Sequence, residues 1–391
     1  MNYPGERGST LLLITWIFLV AGVIAAFTFY RAESEWGLVV GLEKSINFRQ
    51  IAEAALRERL AALVSDGTEF DSMEDEWYGN GRIEAEENGY RITTLIEDEG
   101  SKLNLNLMKA PAFQYFLGDD LPADPLIDWR DEDDEPRSSG AEKEYYQELS
   151  PSYKPRNGFL ASVQELQQIK DGDKIYPLLA PELTVYGKVN PNIIDDEFLK
   201  GLLLAHGFEK NWVEQAIVEF INYANKTGFK EYDDFLRNLK SVTIPVRDKF
   251  KTIFHFTGNM NINFVTKDQL KAFLKNFHAE DNSDFVDGLL KRRPFETNDE
   301  VVRRFDTQFK DKVQYAKINN GKSANYFTTV STIIRYRIWV EKGTRKFYLE
   351  TVQERLPGKI KGEWKVYPLS WRSMNNREVP EIPKKPEEEE T

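Results

Sequence analysis

Leu11-Leu12-Leu13-Ile14-Thr15-Trp16-Ile17-Phe18-Leu19-Val20-Ala21-Gly22-Val23-Ile24-Ala25-Ala26-Phe27-Thr28-Phe29-Tyr30 is the stretch on which the architecture of this chain turns. It holds no charge and no proline, and Arg31 and Glu33 close it on the far side. An apolar run of roughly 20 residues, rising ~1.5 Å per residue as a helix, spans the ~30 Å hydrocarbon core of a bilayer. A single membrane-spanning helix near the start of the chain is therefore expected. A secretory signal would end in small residues, whereas Phe27, Thr28, Phe29 and Tyr30 are bulky, so removal of the whole segment is not expected.

Working back from the run, the polar stretch Met1 to Gly8 ends in Glu6-Arg7-Gly8. A Gly directly before an apolar run and behind a charged pair resembles the type IV prepilin cleavage site, where a membrane peptidase cuts after the Gly. By that resemblance Gly8 and Ser9 flank the cut, and Ser9 becomes the mature N-terminus. Read on its own, the segment also fits an uncleaved single-pass anchor.

Working forward, Leu38, Leu42, Ile46, Ile51, Ala55, Leu56, Leu60 and Leu63 recur at helical intervals among Arg and Glu, as an amphipathic helix requires. The periodicity predicts a helix to about Ser65, stopped by Asp66-Gly67. One helix over 9–65 is one reading; a membrane helix and a separate surface helix, broken at Gly37 and Gly41, is the other.

Strand patterns bracket the remaining chain. Gly89 to Asp98 alternates like a half-buried strand, with Gly79-Asn80-Gly81 before it as a turn and Arg82 to Glu86 as a candidate partner. Tyr326 to Val340 is β-rich, with Ile334, Tyr336, Ile338 and Val340 on one face, and Glu341 to Thr344 turns it into a strand from Lys346 to Gln353. Trp364 to Tyr367 reads as a further short strand. The tail from Pro380, rich in Pro, Glu and Lys, reads as disordered.

Between the strands, from about Met108 to Lys322, the period is helical: Val163 to Ile169, Ile194 to Leu204, Trp212 to Tyr223, Phe235 to Leu239, Asp268 to Phe277 and Phe285 to Leu290. An α-rich block separating parts of one sheet is most simply an insertion, whose ends lie close together. The expected class is α+β: a long transmembrane and stem helix and an antiparallel sheet head interrupted by a large inserted α-helical domain. The expected limits are leader 1–8, helix 9–65, first part of the head 66–107, insertion 108–322, C-terminal strands 323–372 and an acidic disordered tail 373–391. Within the block, Asn190-Pro191-Asn192 and Asn261-Ile262-Asn263 each feed a helix, which implies two related helical units. Asn104-Leu105-Asn106 offers a third such signal where the block begins.

Composition excludes several functions. A net charge of −12 argues against nucleic acid, whose phosphates call for clustered Lys and Arg. A helix-hairpin-helix reading of the block also lacks the Gly-rich turn that would offer amides to phosphate. The absence of Cys removes disulfides, thiol catalysis and Cys-ligated zinc. His206, His255 and His278 show no metal-ligand spacing and read as structural. No nucleophile elbow, P-loop or dinucleotide fingerprint is present, so the chain reads as a structural and interaction protein and not an enzyme.

In order along the chain stand the leader, the stem, Glu97-Asp98-Glu99-Gly100-Ser101-Lys102-Leu103-Asn104-Leu105-Asn106, Asp128-Trp129-Arg130-Asp131-Glu132-Asp133-Asp134-Glu135-Pro136, Gly140-Ala141-Glu142, Tyr145-Tyr146, Tyr153 to Asn157, Leu183 to Tyr186 and Val189 to Asn192. This series resembles protein K of the general secretory pathway, the large minor pseudopilin of type II secretion systems. The resemblance implies a pilin-like head with a large α-domain, placed at the tip of a periplasmic pseudopilus and anchored in the bacterial inner membrane. It also implies partners: the minor pseudopilins called I and J, the inner-membrane assembly platform and membrane lipid. Leu11, Leu13, Trp16 and Phe18 would then pack the membrane helix into a filament. Leu13 would be the fifth mature residue, where major pilins carry a Glu that pairs with a neighbour's N-terminal ammonium. A tip subunit has no neighbour above it, so Leu there avoids an unpaired buried charge. A membrane-anchored periplasmic binding or adaptor protein that never enters a filament is the alternative reading.

The acidic segment has its own chemistry. Asp128, Asp131, Asp133, Asp134, Glu135 and Glu142 lie on a segment broken by Pro136 and Gly140, and carboxylates on an irregular loop can converge on calcium, which accepts six to eight oxygens. The spacing is not that of an EF-hand. The family's association with calcium near this motif implies a structural ion, with Asp128, Asp131, Asp133 and Glu142 as the candidate ligands.

Overall fold

The computed structural model describes residues 6–194, 196–256, 258, 260–276, 283–309, 326–357 and 363–384. Met1 to Gly5 of the leader, His278 and the last seven residues of the tail lie outside them.

Helix α1, Glu6–Ser65, is a single helix that passes through Gly37 and Gly41. At ~1.5 Å per residue its 60 residues reach about 90 Å. It starts earlier than position 9: Glu6 and Arg7 are good helix formers, and a carboxylate suits a helix N-terminus. Leu12–Arg31 has a mean hydropathy of 2.5 and is nowhere buried. By contrast Phe48, Ala52, Leu56 and Leu63, one stripe at helical spacing, are buried against the sheet. Past Ser65 the chain turns on Asp66, whose Oδ1 accepts from the Thr68 amide at 3.1 Å.

The sheet begins with β1, Arg82–Glu87, and β2, Tyr90–Asp98. Asn88 and Gly89, at φ 52° and 75°, join them in the two-residue turn that antiparallel hairpins favour. Strand β3, Leu103–Asn104, opens the helical block, followed by α2 (Ala110–Leu117), α3 (Asp124–Arg130), α4 (Lys143–Glu148), a 3-10 turn (Val163–Gln168), α5 (Gly172–Leu179) and β4 (Leu183–Thr184). Helices α6 (Asp196–Ala205), α7 (Lys210–Lys226), α8 (Asp233–Asn238) and α9 (Ile244–Ile253) come next. The block closes with β5 (Met260–Asn261), α10 (Lys267–Asn276), α11 (Ser283–Leu290), α12 (Asn298–Phe309) and β6 (Phe327–Thr328). Strands β7 (Ile333–Lys342), β8 (Arg345–Pro357) and β9 (Trp364–Asn375) complete an antiparallel sheet of order β1-β2-β7-β8-β9. Asp98 pairs with Ile334, so the chain leaves and re-enters the sheet on neighbouring strands at one level.

The block is built from three units, where the sequence reading implied two. Each opens on Asn-x-Asn, and in each the first Asn carboxamide oxygen accepts from the backbone amide of the second: Asn104 to Asn106 at 2.9 Å, Asn190 to Asn192 at 3.0 Å and Asn261 to Asn263 at 3.0 Å. In each, the second Asn then exchanges two hydrogen bonds with the backbone of a distant apolar residue, as a strand neighbour would. The partners are Leu160 (2.9 and 2.8 Å), Phe229 (2.9 and 2.6 Å) and Phe295 (2.9 and 2.8 Å). A short parallel pairing closes every unit: β3 with β4, Val189 with Phe254, and β5 with β6. The first and third units share one apolar core, while the second has its own around Phe220, Phe235 and Phe250.

This closure corrects one strand. Tyr326 to Val340 is not continuous, because Phe327–Thr328 pairs with β5 and belongs to the block; Thr328 Oγ1 then accepts from the Val330 amide at 3.0 Å and turns the chain before β7. The block accordingly runs from Leu103 to Thr328. Strand β9 is also longer than expected and extends over Trp364–Asn375.

A buried polar joint ties block to sheet. Ser331 donates its amide to Asp71 Oδ2 (2.6 Å) and its hydroxyl to Asp98 Oδ2 (2.5 Å), while Asn261 Nδ2 donates to Ser331 Oγ (2.9 Å) and Asn263 Nδ2 to the Asp71 carbonyl (3.0 Å). Arg355 grips the Asp71 carboxylate with two bonds, at 2.9 and 3.1 Å. Burial raises the Asp71 carboxyl to about 6 in spite of that guanidinium, and it raises Asp98, which has only neutral donors, to about 7.

The tail corrects another expectation. Trp339 Nε1 donates to the Pro380 carbonyl at 2.8 Å and Arg82 Nη1 to the Pro383 carbonyl at 2.6 Å, so this segment crosses the sheet as an ordered strap. Proline lowers the entropy lost on fixing an extended segment, which composition alone does not register.

Candidate functional site

The acidic segment becomes a fixed loop through Asp128. This side chain is fully buried at the end of α3; its Oδ2 accepts from the amides of Arg137 (3.1 Å) and Ala141 (2.9 Å), which folds the intervening loop back over the helix. Gly140 permits the approach: a Cβ there would lie 1.7 Å from Asp128 Oδ2. Beneath the loop, Trp129, Tyr146 and Tyr153 pack edge-on or tilted, with Trp129 and Tyr146 centroids 5.0 Å apart and Tyr146 and Tyr153 5.4 Å apart. Lys170 Nζ donates to the carbonyls of Ser139 and Gly140 at 3.0 and 3.1 Å and fixes the far side.

This frame brings Asp128, Asp131 and Glu142 together, with a carboxylate oxygen of each within 4.8 Å of the others. Asp133 is not among them. It stands on the exposed part of the loop, where its Oδ1 accepts from the Glu135 amide at 2.9 Å. Arg137, which the sequence reading passed over, spans two members: its Nη1 lies 2.6 Å from Asp128 Oδ1 and 2.5 Å from Asp131 Oδ2. Three carboxylates and one guanidinium leave two negative charges when all are ionised. Glu142 is buried, and both of its oxygens lack a hydrogen-bond partner; Asp131 Oδ1 is in the same condition. An orphaned buried carboxylate is costly. Its burial, with Asp131 and Asp128 beside it, raises the Glu142 carboxyl to about 7. Burial also raises Asp131, against the pull of Arg137. Unused hard oxygens, a charge deficit of two and an irregular loop fit a divalent hard cation such as calcium.

The other predicted residues lie in α1. Gly8 and Ser9 fall in its first turns, and Leu11 follows them in the same helix. Leu13, Trp16 and Phe18 are 61%, 63% and 73% exposed.

Residues 103–188 match a family described as "Type II secretion system (T2SS), protein K". The chain is 25% identical over 207 residues to type II secretion system protein K of Aeromonas hydrophila, covering 45% of this chain and 62% of that protein. It therefore spans less than two thirds of that relative. Against protein K of Pseudomonas aeruginosa the identity is 22% over 268 residues, covering 60% of this chain and 77% of the relative. One solved structure, "the GspK-GspI-GspJ complex from enterotoxigenic Escherichia coli Type 2 Secretion System", has a chain 14% identical with a TM-score of 0.46, covering 88% of this chain and 99% of that one.

Proposed function

We propose that this chain, a relative of type II secretion system protein K, is a minor pseudopilin that stands at the tip of a pseudopilus and helps to start its assembly for protein export. The observation that carries the reading is α1: a single helix in which Leu12–Arg31 is exposed and apolar enough to cross a membrane, while Phe48, Ala52, Leu56 and Leu63 further along are packed on a sheet. Such a helix stores a subunit in a membrane and, once extracted, packs beside other stems. Cleavage between Gly8 and Ser9 would license extraction, and Leu11, Leu13, Trp16 and Phe18 would form the helix contacts. The similarity to proteins of this secretion pathway supports an inner-membrane anchor with the head in the periplasm. The large helical block that interrupts the sheet suits a terminal position, because a subunit stacked above would have to clear it.

The partners on this reading are the I and J minor pseudopilins and the inner-membrane assembly platform. The role is mechanical and structural, without catalysis. Calcium held by Asp128, Asp131 and Glu142 would neutralise the orphaned oxygens and lock the loop between α3 and α4; its contribution is structural. The test is copurification of the tagged full-length chain from detergent-solubilised membranes of its own host. Recovery of the I and J pseudopilins with it, in comparable amounts, is expected; recovery of the chain without either one contradicts the reading.

A further inference from the structure

Strands alternate their side chains between two faces, and α1 covers the face that carries Ile334, Tyr336, Ile338 and Val340. The opposite face is the one the strap crosses. On it the register sets Tyr348 of β8, Trp339 of β7 and Thr93 of β2 side by side, while Leu95 of β2 and Arg82 of β1 pair two residues farther along. The Trp339 and Tyr348 rings lie 4.9 Å apart and form an aromatic ledge.

The strap itself reads Val379-Pro380-Glu381-Ile382-Pro383-Lys384, a Pro-x-x-Pro stretch. Proline fixes φ near −65°, and the residue before a proline is held extended, so Val379, Pro380, Ile382 and Pro383 are set toward polyproline II before any contact forms. Val379 has φ −67° and ψ 121°, in keeping with that. A polyproline II helix repeats every three residues and rises ~3.1 Å per residue. The strap's contacts follow this period. Val379 and Ile382, three apart, are half-buried, while Pro380, Glu381, Pro383 and Lys384 are exposed. The Pro380 and Pro383 carbonyls, also three apart, both accept from the sheet, at 2.8 Å from Trp339 Nε1 and 2.6 Å from Arg82 Nη1. Three residues advance about 9.3 Å, against about 9.6 Å from β7 to β1 across two strand spacings. The lengths match.

Proline-rich segments are recognised as preformed extended helices on aromatic-lined surfaces, and a proline offers a carbonyl but no N–H, which suits a surface that presents donors. We infer that the face made by Trp339, Tyr348, Leu95 and Arg82 is a binding site for Pro-x-x-Pro segments, filled in cis by the strap. When the strap swings out on the turn at Asn376–Glu378, a Pro-x-x-Pro segment of a different protein takes its place. A net charge of −12 sets copies of this chain apart and leaves a different protein as the source. The short tether holds the strap at a local concentration in the millimolar range, so the site is closed by default.

Fluorescence anisotropy tests this, with a labelled peptide of the sequence Glu378 to Lys384 added to the full-length protein in detergent. A chain ended after Glu378 is expected to bind the peptide at least tenfold tighter than the unaltered chain. The full-length double variant Pro380→Ala with Pro383→Ala, whose changes are exposed, should bind it at least threefold tighter. Carrying the same two changes in the peptide should weaken its binding to the shortened chain at least tenfold. Trp339→Phe, which keeps a ring but loses the N–H, should weaken it at least fivefold. A shortened chain that binds no tighter, a peptide indifferent to its prolines, or a site indifferent to Trp339→Phe overturns the inference. Dimers of the unaltered chain that exchange straps, detected by sedimentation, overturn the assignment to a different protein. Should the shortened chain not fold, the double variant decides alone, and binding equal to that of the unaltered chain rejects the site.

Discussion

Asn263→Ala is the substitution that best measures how the helical block is held together. The side chain is 1% exposed and makes three hydrogen bonds: Nδ2 to the Phe295 carbonyl (2.9 Å), Nδ2 to the Asp71 carbonyl (3.0 Å), and Oδ1 from the Phe295 amide (2.8 Å). Each is worth about 1 kcal/mol net, and each buried backbone group left without a partner adds about 1–3 kcal/mol. Phe295 is fully buried, so water does not replace the lost partner there. The expected cost is about 3–5 kcal/mol. Asn192→Ala removes only the exchange with Phe229 and, being half-buried, should cost about 2 kcal/mol. Asn263→Asp preserves the shape but replaces two donated bonds with an oxygen facing two carbonyls, and it should be at least as damaging as Ala. Urea unfolding of the full-length protein in detergent, followed by tryptophan fluorescence and by protease susceptibility between Leu103 and Thr328, reads the differences. An Asn263→Ala cost below about 1 kcal/mol, or a well-tolerated Asn263→Asp, would refute the reasoning.

Calcium at one hundred times its Kd should stabilise the head by about 2.7 kcal/mol in thermal unfolding. Glu142→Gln should abolish that shift while leaving stability in chelator unchanged or higher, since it removes an orphaned buried charge; a retained calcium shift contradicts the ligand assignment. Gly140→Ala drives a methyl into Asp128 Oδ2 and should cost at least about 2 kcal/mol, with loss of the calcium response in calorimetry. Asp98, raised to about 7 from its ordinary 3.8, contributes stability that is fully present below the ordinary value and is lost as pH rises through about 7. The whole span is worth at most ~4 kcal/mol. Asp98→Asn, an isostere of the protonated acid, should flatten the fall in urea midpoint between pH 5 and about 7.5, and an unchanged slope would place the pH dependence elsewhere.

What the sequence displayed well is what local periodicity encodes. The alternation in Tyr90–Asp98 and the apolar stripe of Ile334, Tyr336, Ile338 and Val340 depend on near neighbours, and both are where the pattern put them; the Asn88-Gly89 turn, which the pattern put partly in the strand, was not singled out. The repeat of three units was less visible because the contacts that define the units, one pair in each, join residues 54, 37 and 32 positions apart. A signal for it exists. Leu160, Phe229 and Phe295 are each followed five residues later by Glu165, Asp234 and Glu300, and six later by the fully buried Leu166, Phe235 and Val301.

At the acidic loop the residue types marked a cluster of carboxylates but could not tell which of them converge. Selection among them depends on Gly140 admitting the Asp128 carboxylate and on Arg137 bridging to Asp131, neither of which follows from spacing. The bland composition of Val379 to Lys384 likewise hid the strap, because its bonds are made by backbone carbonyls to Trp339 and Arg82, far away in sequence.

The central claim is that α1 is a pilin-type helix released from a leader. Mass spectrometry of the N-terminal peptide, from the chain purified out of its host with an active prepilin peptidase, tests it most directly. A mature chain beginning at Ser9 is the predicted result, and a chain still beginning at Met1 would contradict the account.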